Sequence, residues 1–339
     1  MDFAIVGRQR ADDLEEVTSD VSVLDGSGRW LVVLPFEGAP LCVRFARWRP
    51  AAAAPAGGAG PPVPVGGWTS SLSRSAFQRG VEEIRAGIAA GDVYQVNLCR
   101  RLTAPLPPAG FSFPAFGAAV LAAHPAPHAA LVCLPSVGVW VASASPERFL
   151  SRSGRVVRSQ PIKGTASSAS ALAASAKDRA ENVMIVDLVR NDLGRVCEYG
   201  SVAVEALCAV EPHPGLFHLV STVAGRLRAG VGWGELLAAT FPPGSVTGAP
   251  KLAALEWIRR LEPVSRSVYC GAVGWVDADR REGDLNVAIR TFWMERGGLH
   301  FGVGGGVTWD STPEGEWEET ELKARRLLAA AAAARTAVA

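Results

Sequence analysis

The chain has 339 residues, with 34 Lys and Arg against 33 Asp and Glu, for a formal charge of +1. That length can bury a sizeable core in one large or two ordinary domains, and the balanced charge gives no ground for binding nucleic acid or an acidic membrane surface. Six cysteines, none closer than eleven residues to the next, and five histidines argue against a structural zinc site; they read as core residues of a reducing, cytoplasmic protein.

From Met1 to Arg8 no basic flank leads into a long apolar run, so no signal peptide is expected. Residues 30–36 and 41–45 are β-like runs joined by Glu37-Gly38-Ala39-Pro40, a hairpin signal within a short N-terminal region, 1–49. Residues 50–67 are almost wholly Pro, Ala and Gly and read as a linker. Phe77, Val81, Ile84 and Ile88 form an amphipathic helical stripe that Gly91 ends. A strand over 93–98 puts Tyr94, Val96 and Leu98 on one face and the amides of Gln95 and Asn97 on the other, either as edge decoration or lining a polar cavity.

The most apolar region, 115–144, is broken by Pro125, Pro127 and Pro135, which argues against a membrane helix. It contains strand patterns at 129–134 and 137–142. Glu147 follows Ser145-Pro146 at a strand-to-turn junction, where a lone carboxylate is ordinarily exposed. Next, Lys163 stands between Pro161 and Gly164, after a short strand at 155–158. Pro161 fixes φ and Gly164 admits positive φ, so the hexapeptide 160–165 reads as a tight turn. Such a lysine serves either as an anion-binding loop residue or, as a free amine, as a nucleophile.

A helix over 177–194 carries Asp178 and Glu181 one turn apart near its N-terminus, as macrodipole complement or as a metal-ligating pair. His218 sits in an apolar strand, 216–227, and residues 241–251 form a loop leading into a helix. Strands at 268–276 and 285–292 bring in Tyr269 and Arg290. Glycines 302 and 304–306 match neither the dinucleotide nor the Walker A pattern, but let backbone amides approach an anion. A final helix, capped by Thr312 and started by Pro313, places Glu316 and Glu319 on one face with Lys323 a turn further on. These form a solvated surface pair or oxygen ligands for Mg²⁺.

Eight segments in order, GDVYQVNL, SASPERF, PIKGT, KDRAENVMIVDLVRND, HLVST, GSVTGAPK, IRT and GVGGGV…EWEETELKA, resemble the chorismate-utilising enzymes. That group includes anthranilate synthase component I, aminodeoxychorismate synthase component I, and isochorismate and salicylate synthases. The resemblance covers about 68–330 as a chorismate-binding catalytic domain and leaves 331–339 as an Ala-rich tail. It implies an α/β (α+β) fold, one large unit of two layered antiparallel sheets flanked by helices.

Two positions discriminate within the group. Isochorismate and salicylate synthases carry a water-activating lysine at Gln95, which as an amide cannot act as a base. Anthranilate synthases typically have alanine at Lys163, and the lysine form resembles the aminodeoxychorismate synthase type. The resemblance therefore implies amination of chorismate at C4, for p-aminobenzoate and folate synthesis, through a covalent Lys163 adduct. Glu147 would be the general acid, and His218 would sit near the ring. Mg²⁺ would be held by Glu181 and Glu319 with Glu316 nearby. Arg290, Tyr269 and the amides of Gly304 and Gly305 would hold the enolpyruvyl carboxylate. Gln95, Thr165 and Thr247 would line the pocket, with Lys323 at the metal end.

No glutaminase cysteine elbow is present, so ammonia would come from solution or a separate glutamine amidotransferase subunit. Anthranilate formation with loss of pyruvate, or chorismate binding without turnover, are the alternatives. Three departures stand out: a short N-terminal part, Ala166-Ser167-Ser168 where an arginine-containing segment is usual, and Pro125-Ala126-Pro127-His128 where Pro-x-Pro-Tyr is common.

Overall fold

The computed structural model describes residues 1–51, 67–106, 110–166, 168–213 and 216–333. Most of the expected linker, Ser167, and the tail from 334 onward lie outside the described residues. The chain opens with strands β1 (Phe3–Val6), β2 (Gln9–Thr18), β3 (Arg29–Leu34), β4 (Leu41–Pro50) and β5 (Thr69–Ser70), then helix α1 (Arg74–Ala90), β6 (Gln95–Pro105) and α2 (Phe113–Ala123). There follow β7 (Ala130–Leu134), β8 (Val139–Ser143), β9 (Arg148–Ser153), β10 (Val156–Gln160) and β11 (Ile162–Ala166), then helices α3 (Ala169–Ala174) and α4 (Ala176–Gly194). Strands β12 (Ala203–His213) and β13 (Leu216–Arg226), helix α5 (Trp233–Thr240), β14 (Gly248–Ala249) and α6 (Lys251–Leu261) come next. The last elements are β15 (Ala272–Asp277), β16 (Glu282–Val287), β17 (Thr291–Glu295), β18 (Gly298–Val307) and α7 (Pro313–Ala333).

Every strand pairing among the described residues is antiparallel. One hydrogen-bonded series runs β6-β18-β17-β8-β7-β1-β2-β4-β3-β15-β16-β9-β10-β13, with β5 and β14 on β6 and β11 and β12 on β13. Side-chain alternation shows that the series doubles over into two layers. Ala4, Val6, Val132, Leu134 and Val141 share one core with Leu31, Val33, Val43, Leu150 and Val223 from the other half of the series. Their alternates Phe3, Leu131, Cys133 and Ala142 join Phe292 and Phe301 in a second core against Phe116 and Val120 of α2 and Leu327 of α7. Layered antiparallel sheets flanked by helices are thus what the periodicity builds.

The expected hairpin is present as β3 and β4. It is part of a larger N-terminal contribution, because β1 pairs with β7 and β3 with β15. The acidic run in β2 hides that strand from a pattern search; its charges are paired, Asp12 with Arg49 at 2.9 Å and Asp13 with Arg47 at 2.8 Å. Phe77, Val81 and Ile84 of the α1 stripe are buried and Ile88 is half-buried, and Gly91 ends the helix with φ of 86°. Helix α3 and strand β12 fall where no regular element is predicted.

Two expected strands differ. Tyr94 precedes β6 and is exposed, because the chain enters the sheet only at Gln95. Tyr269 lies in a turn before β15, its backbone N–H donating to the Arg266 carbonyl at 3.0 Å.

Candidate active site

Lys163 does not sit in a tight turn. Its segment is β11, paired with β13, and the register slips between Lys163 and Thr165 where Gly164 takes φ of +77°. The Pro-to-Gly motif is a bulged strand, and the bulge re-aims the lysine. Gly164 is also required for space: a Cβ there would lie 2.9 Å from the Asp178 Cβ and from the Leu172 Cδ1. Gly164→Ala is therefore expected to cost about 2 kcal/mol and to lower Tm by roughly 3 °C. Thermal melting of purified protein checks this, and an unchanged Tm would mean that the bulge is dispensable.

The Lys163 Nζ donates to the Ser245 carbonyl at 3.2 Å. Ser245 lies in a buried 3-10 turn, Gly244–Val246, and its side chain hydrogen-bonds the Glu147 carboxyl. Glu147 is itself buried, with 4% exposure, contrary to the exposed turn carboxylate that its sequence context suggests. Its N–H donates to the Ser145 Oγ at 3.2 Å and its carbonyl accepts from the Val287 N–H at 3.0 Å. Burial pushes its carboxyl up to about 7, against the lowering pull of the Ser245 bond, Lys163, the Ile162 backbone bond and Arg290. Ser245 thus touches both candidate reacting groups. It was not among the predicted site residues, although its motif GSVTGAPK was.

Gln95 is 1% exposed, and among the described residues its Oε1 has no hydrogen-bond partner. The amide belongs to a polar interior, not to an edge. β18 admits it: a Cβ on Gly306 would overlap the Gln95 Nε2 and stand 3.4 Å from the Lys163 Nζ. At Gly305 an added Cβ would meet the Glu316 Oε2 at 2.7 Å and the Glu319 Oε1 at 3.9 Å. The glycine run therefore lets Gln95, Lys163 and two helix carboxylates converge on one strand. β17 covers β18 only as far as Phe301, so one edge from Gly302 onward has no strand beside it among the described residues.

Glu181 lies on α4, and Glu316 and Glu319 lie on α7. Burial raises Glu181, opposed by Lys163 and Lys177 and reinforced by Glu319. Burial also raises Glu316, against the Ser311 hydroxyl that donates to its Oε1 at 2.6 Å; Glu319 adds to the rise. The Glu316 Oε2 is buried without a partner among the described residues. For Glu319, burial acts upward, but Lys323, 2.6 Å away, together with Lys177 and Lys163 holds the carboxyl below its ordinary range. The Lys323 Nζ also donates to the Gly304 carbonyl at 3.0 Å. Among the described residues no group of three or more His, Cys, Asp or Glu stands at metal-ligating geometry. An open set of one or two carboxylates suits Mg²⁺, which completes its shell with waters and substrate oxygens.

The remaining predicted residues take varied positions. Arg290 occupies a kink between β16 and β17 with φ of 52°, not a strand end, and feels the Glu147 charge. Its guanidinium has no hydrogen-bond partner among the described residues. The Thr165 Oγ1 and His218 Nδ1 lie 2.9 Å apart. The Thr247 hydroxyl donates to the carbonyls of Pro243 and Gly244, both at 3.2 Å, so it is turned into its own loop. Tyr269 is buried, with its ring against Gly302. No helix is long and apolar enough to cross a membrane, among the described residues.

Residues 46–329 match the family model described as chorismate binding enzyme. The aminodeoxychorismate synthase component 1 of Klebsiella aerogenes is 42% identical over 271 residues, 77% of this chain and 59% of that protein. The anthranilate synthase component 1 of Streptomyces coelicolor is 41% identical over 274 residues, 78% of this chain and 53% of that one. The crystal structure of anthranilate synthase component I from Streptococcus pneumoniae superposes with a TM-score of 0.76 at 26% identity, covering 90% of this chain and 81% of that chain. The chain thus spans less than two thirds of the length of either sequence relative.

Proposed function

The chain belongs to the family of chorismate-binding enzymes, and we propose that it aminates chorismate at C4 to give 4-amino-4-deoxychorismate. The observation that carries this reading is Lys163 and Glu147 held on the same residue, Ser245, one by its carbonyl and one by its side chain. In the proposed sequence the Lys163 amine adds at C2 of chorismate, the ring double bonds shift, and the C4–O bond breaks. Glu147, protonated near neutrality, gives its proton to the departing hydroxyl, which leaves as water. Ammonia then adds at C4, the double bonds return, and Lys163 departs as a free amine. The ionised Glu147 takes the surplus proton from the new ammonium group. Gln95 supports amination over hydration, because its amide offers an acceptor and no base. The Arg290 fork, with no hydrogen-bond partner among the described residues, suits a carboxylate of the substrate.

Glu181 and Glu319, with Glu316 behind them, would hold Mg²⁺. The ion would neutralise the ring carboxylate when bound. All six cysteines of this chain are buried, which leaves none placed as a glutaminase nucleophile. Ammonia is therefore inferred to come from solution or from a separate glutamine amidotransferase subunit, in keeping with the component 1 in the relatives' names.

The second reading, anthranilate formation, is favoured by the 41% identity to the Streptomyces coelicolor protein. Incubation with chorismate, Mg²⁺ and ammonium separates them by mass and fluorescence. The expected product keeps its enolpyruvyl group, yields p-aminobenzoate when a lyase is added, and fails to form in excess EDTA. Direct release of anthranilate would replace the C4 reading, and binding without consumption would sink both.

A further inference from the structure

We propose that the buried Glu262–Arg266 ion pair is a positioning device that ties the strand carrying Gln95 to the turn carrying Ser245. The proposal rests on the reading of Lys163 and Glu147 as the reacting pair. Glu262 directly follows α6, and Arg266 comes four residues later in the connection to β15. Their side chains are only 5% and 2% exposed. The guanidinium grips the carboxylate as a fork, Nε to Oε2 at 2.8 Å and Nη2 to Oε1 at 2.6 Å. Its other donors reach backbone carbonyls: Nη2 to Asn97 at 2.7 Å and Nη1 to Val246 at 2.8 Å. The Glu262 Oε1 also accepts the Cys99 N–H at 2.8 Å.

Those backbone groups lie in a gap. On the edge of β6 away from β18, β14 pairs only with Gln95 and Val96, and β5 only with Leu102 and Thr103. Between them no strand covers the edge among the described residues. The Asn97 N–H is taken by the Thr247 carbonyl at 2.8 Å, and the Asn97 carbonyl and Cys99 N–H by the ion pair. The pair therefore replaces a missing length of ladder and fastens it to Val246, the neighbour of Ser245. Through Ser245 the constraint reaches both Lys163 and Glu147.

Stability alone does not call for an ion pair here, since buried pairs are often matched by apolar residues of similar volume. What methionines cannot supply is a fork with spare donors and a carboxylate with a spare lone pair. Arg266 and Glu262 touch no reacting atom in this scheme. They act through the backbone of residues 95–99 and 244–247.

The test is the double variant Glu262→Met/Arg266→Met, which keeps volume and removes both charges, alongside Arg266→Lys, which keeps charge without the fork. The expected result is a Tm within a few degrees of wild type and faster amide hydrogen exchange confined to 95–99 and 244–249. With it, kcat for amination should fall about 10²-fold while KM for chorismate changes less than threefold, the signature of sub-ångström misplacement. Arg266→Lys should fall between the two. Wild-type exchange in both segments with kcat within threefold of wild type would overturn the proposal. So would exchange raised throughout the chain with activity falling only in proportion to unfolded protein. The exchange measurement needs no turnover, so a wild-type protein that never consumed chorismate would remove the amination reading and still show whether the pair fastens the two segments.

Discussion

Lys163→Ala is expected to lower formation of 4-amino-4-deoxychorismate by about 10³-fold or more, because in the proposed scheme it removes the group that carries the substrate between the two displacements. The loss should fall on kcat. The proposed scheme gives chorismate binding to other groups, above all the Arg290 guanidinium, and the Lys163 Nζ has one hydrogen bond among the described residues, to the Ser245 carbonyl. For the same reason the fold should tolerate the change: Gly164 sets the bulge, and the alanine keeps the β11 pairing with Val220 and Leu219. Rapid quench of the wild-type protein with chorismate and no ammonia should trap a mass adduct on Lys163, absent in the variant. Undiminished amination by Lys163→Ala would rule out the covalent route while leaving family membership untouched. Conversion of the variant into an anthranilate producer would identify this lysine as what separates the two activities.

Much of this was legible in the sequence, and the reasons are local. The α1 stripe, the β3–β4 hairpin and the Thr312-capped α7 follow from period and capping, which act within a few residues. What escaped depends on partners far along the chain. β2 carries four acidic residues among ten and becomes a strand because arginines of β4 face them, some 35 residues away. The Lys163 motif reads as a turn from Pro and Gly alone, whereas β13, over fifty residues later, makes it a bulged strand. Burial of Glu147 is likewise invisible in SASPERF, since it is closed over by Ser245 and Val287. Ordered motifs nominate the candidate residues, but only the tertiary pairing shows that Ser245 joins two of them, and that Glu262 and Arg266 stand behind the turn.

Glu147→Gln should separate activity from stability in opposite directions. As general acid, Glu147 must be protonated when the C4–O bond breaks, and burial pushes its carboxyl up to about 7. Wild-type kcat should therefore fall as pH rises through about 7, the limb that Glu147 sets. The glutamine variant should lose on the order of 10²–10⁴-fold in kcat and lose that falling limb, because the amide has no proton to give. The stability effect follows from the same burial. Folded Glu147 holds its proton to about 7 while the unfolded chain releases it near 4.5, so the folded state binds more protons between those values and stability declines as pH rises across them. Above pH 7 the ionised, buried carboxylate costs about 3 kcal/mol relative to low pH, and a neutral amide of the same shape avoids that cost. At pH 8 the variant should thus melt several degrees above wild type, and at pH 5 the difference should shrink, since the wild-type carboxyl is then neutral in the folded protein. Calorimetry at the two pH values, paired with pH–rate profiles, reads both effects. A variant less stable than wild type at pH 8 would show that the Ser245 and Ile162 hydrogen bonds to the carboxylate outweigh its desolvation, and Glu147 would then be ionised at neutrality and unfit to be the acid.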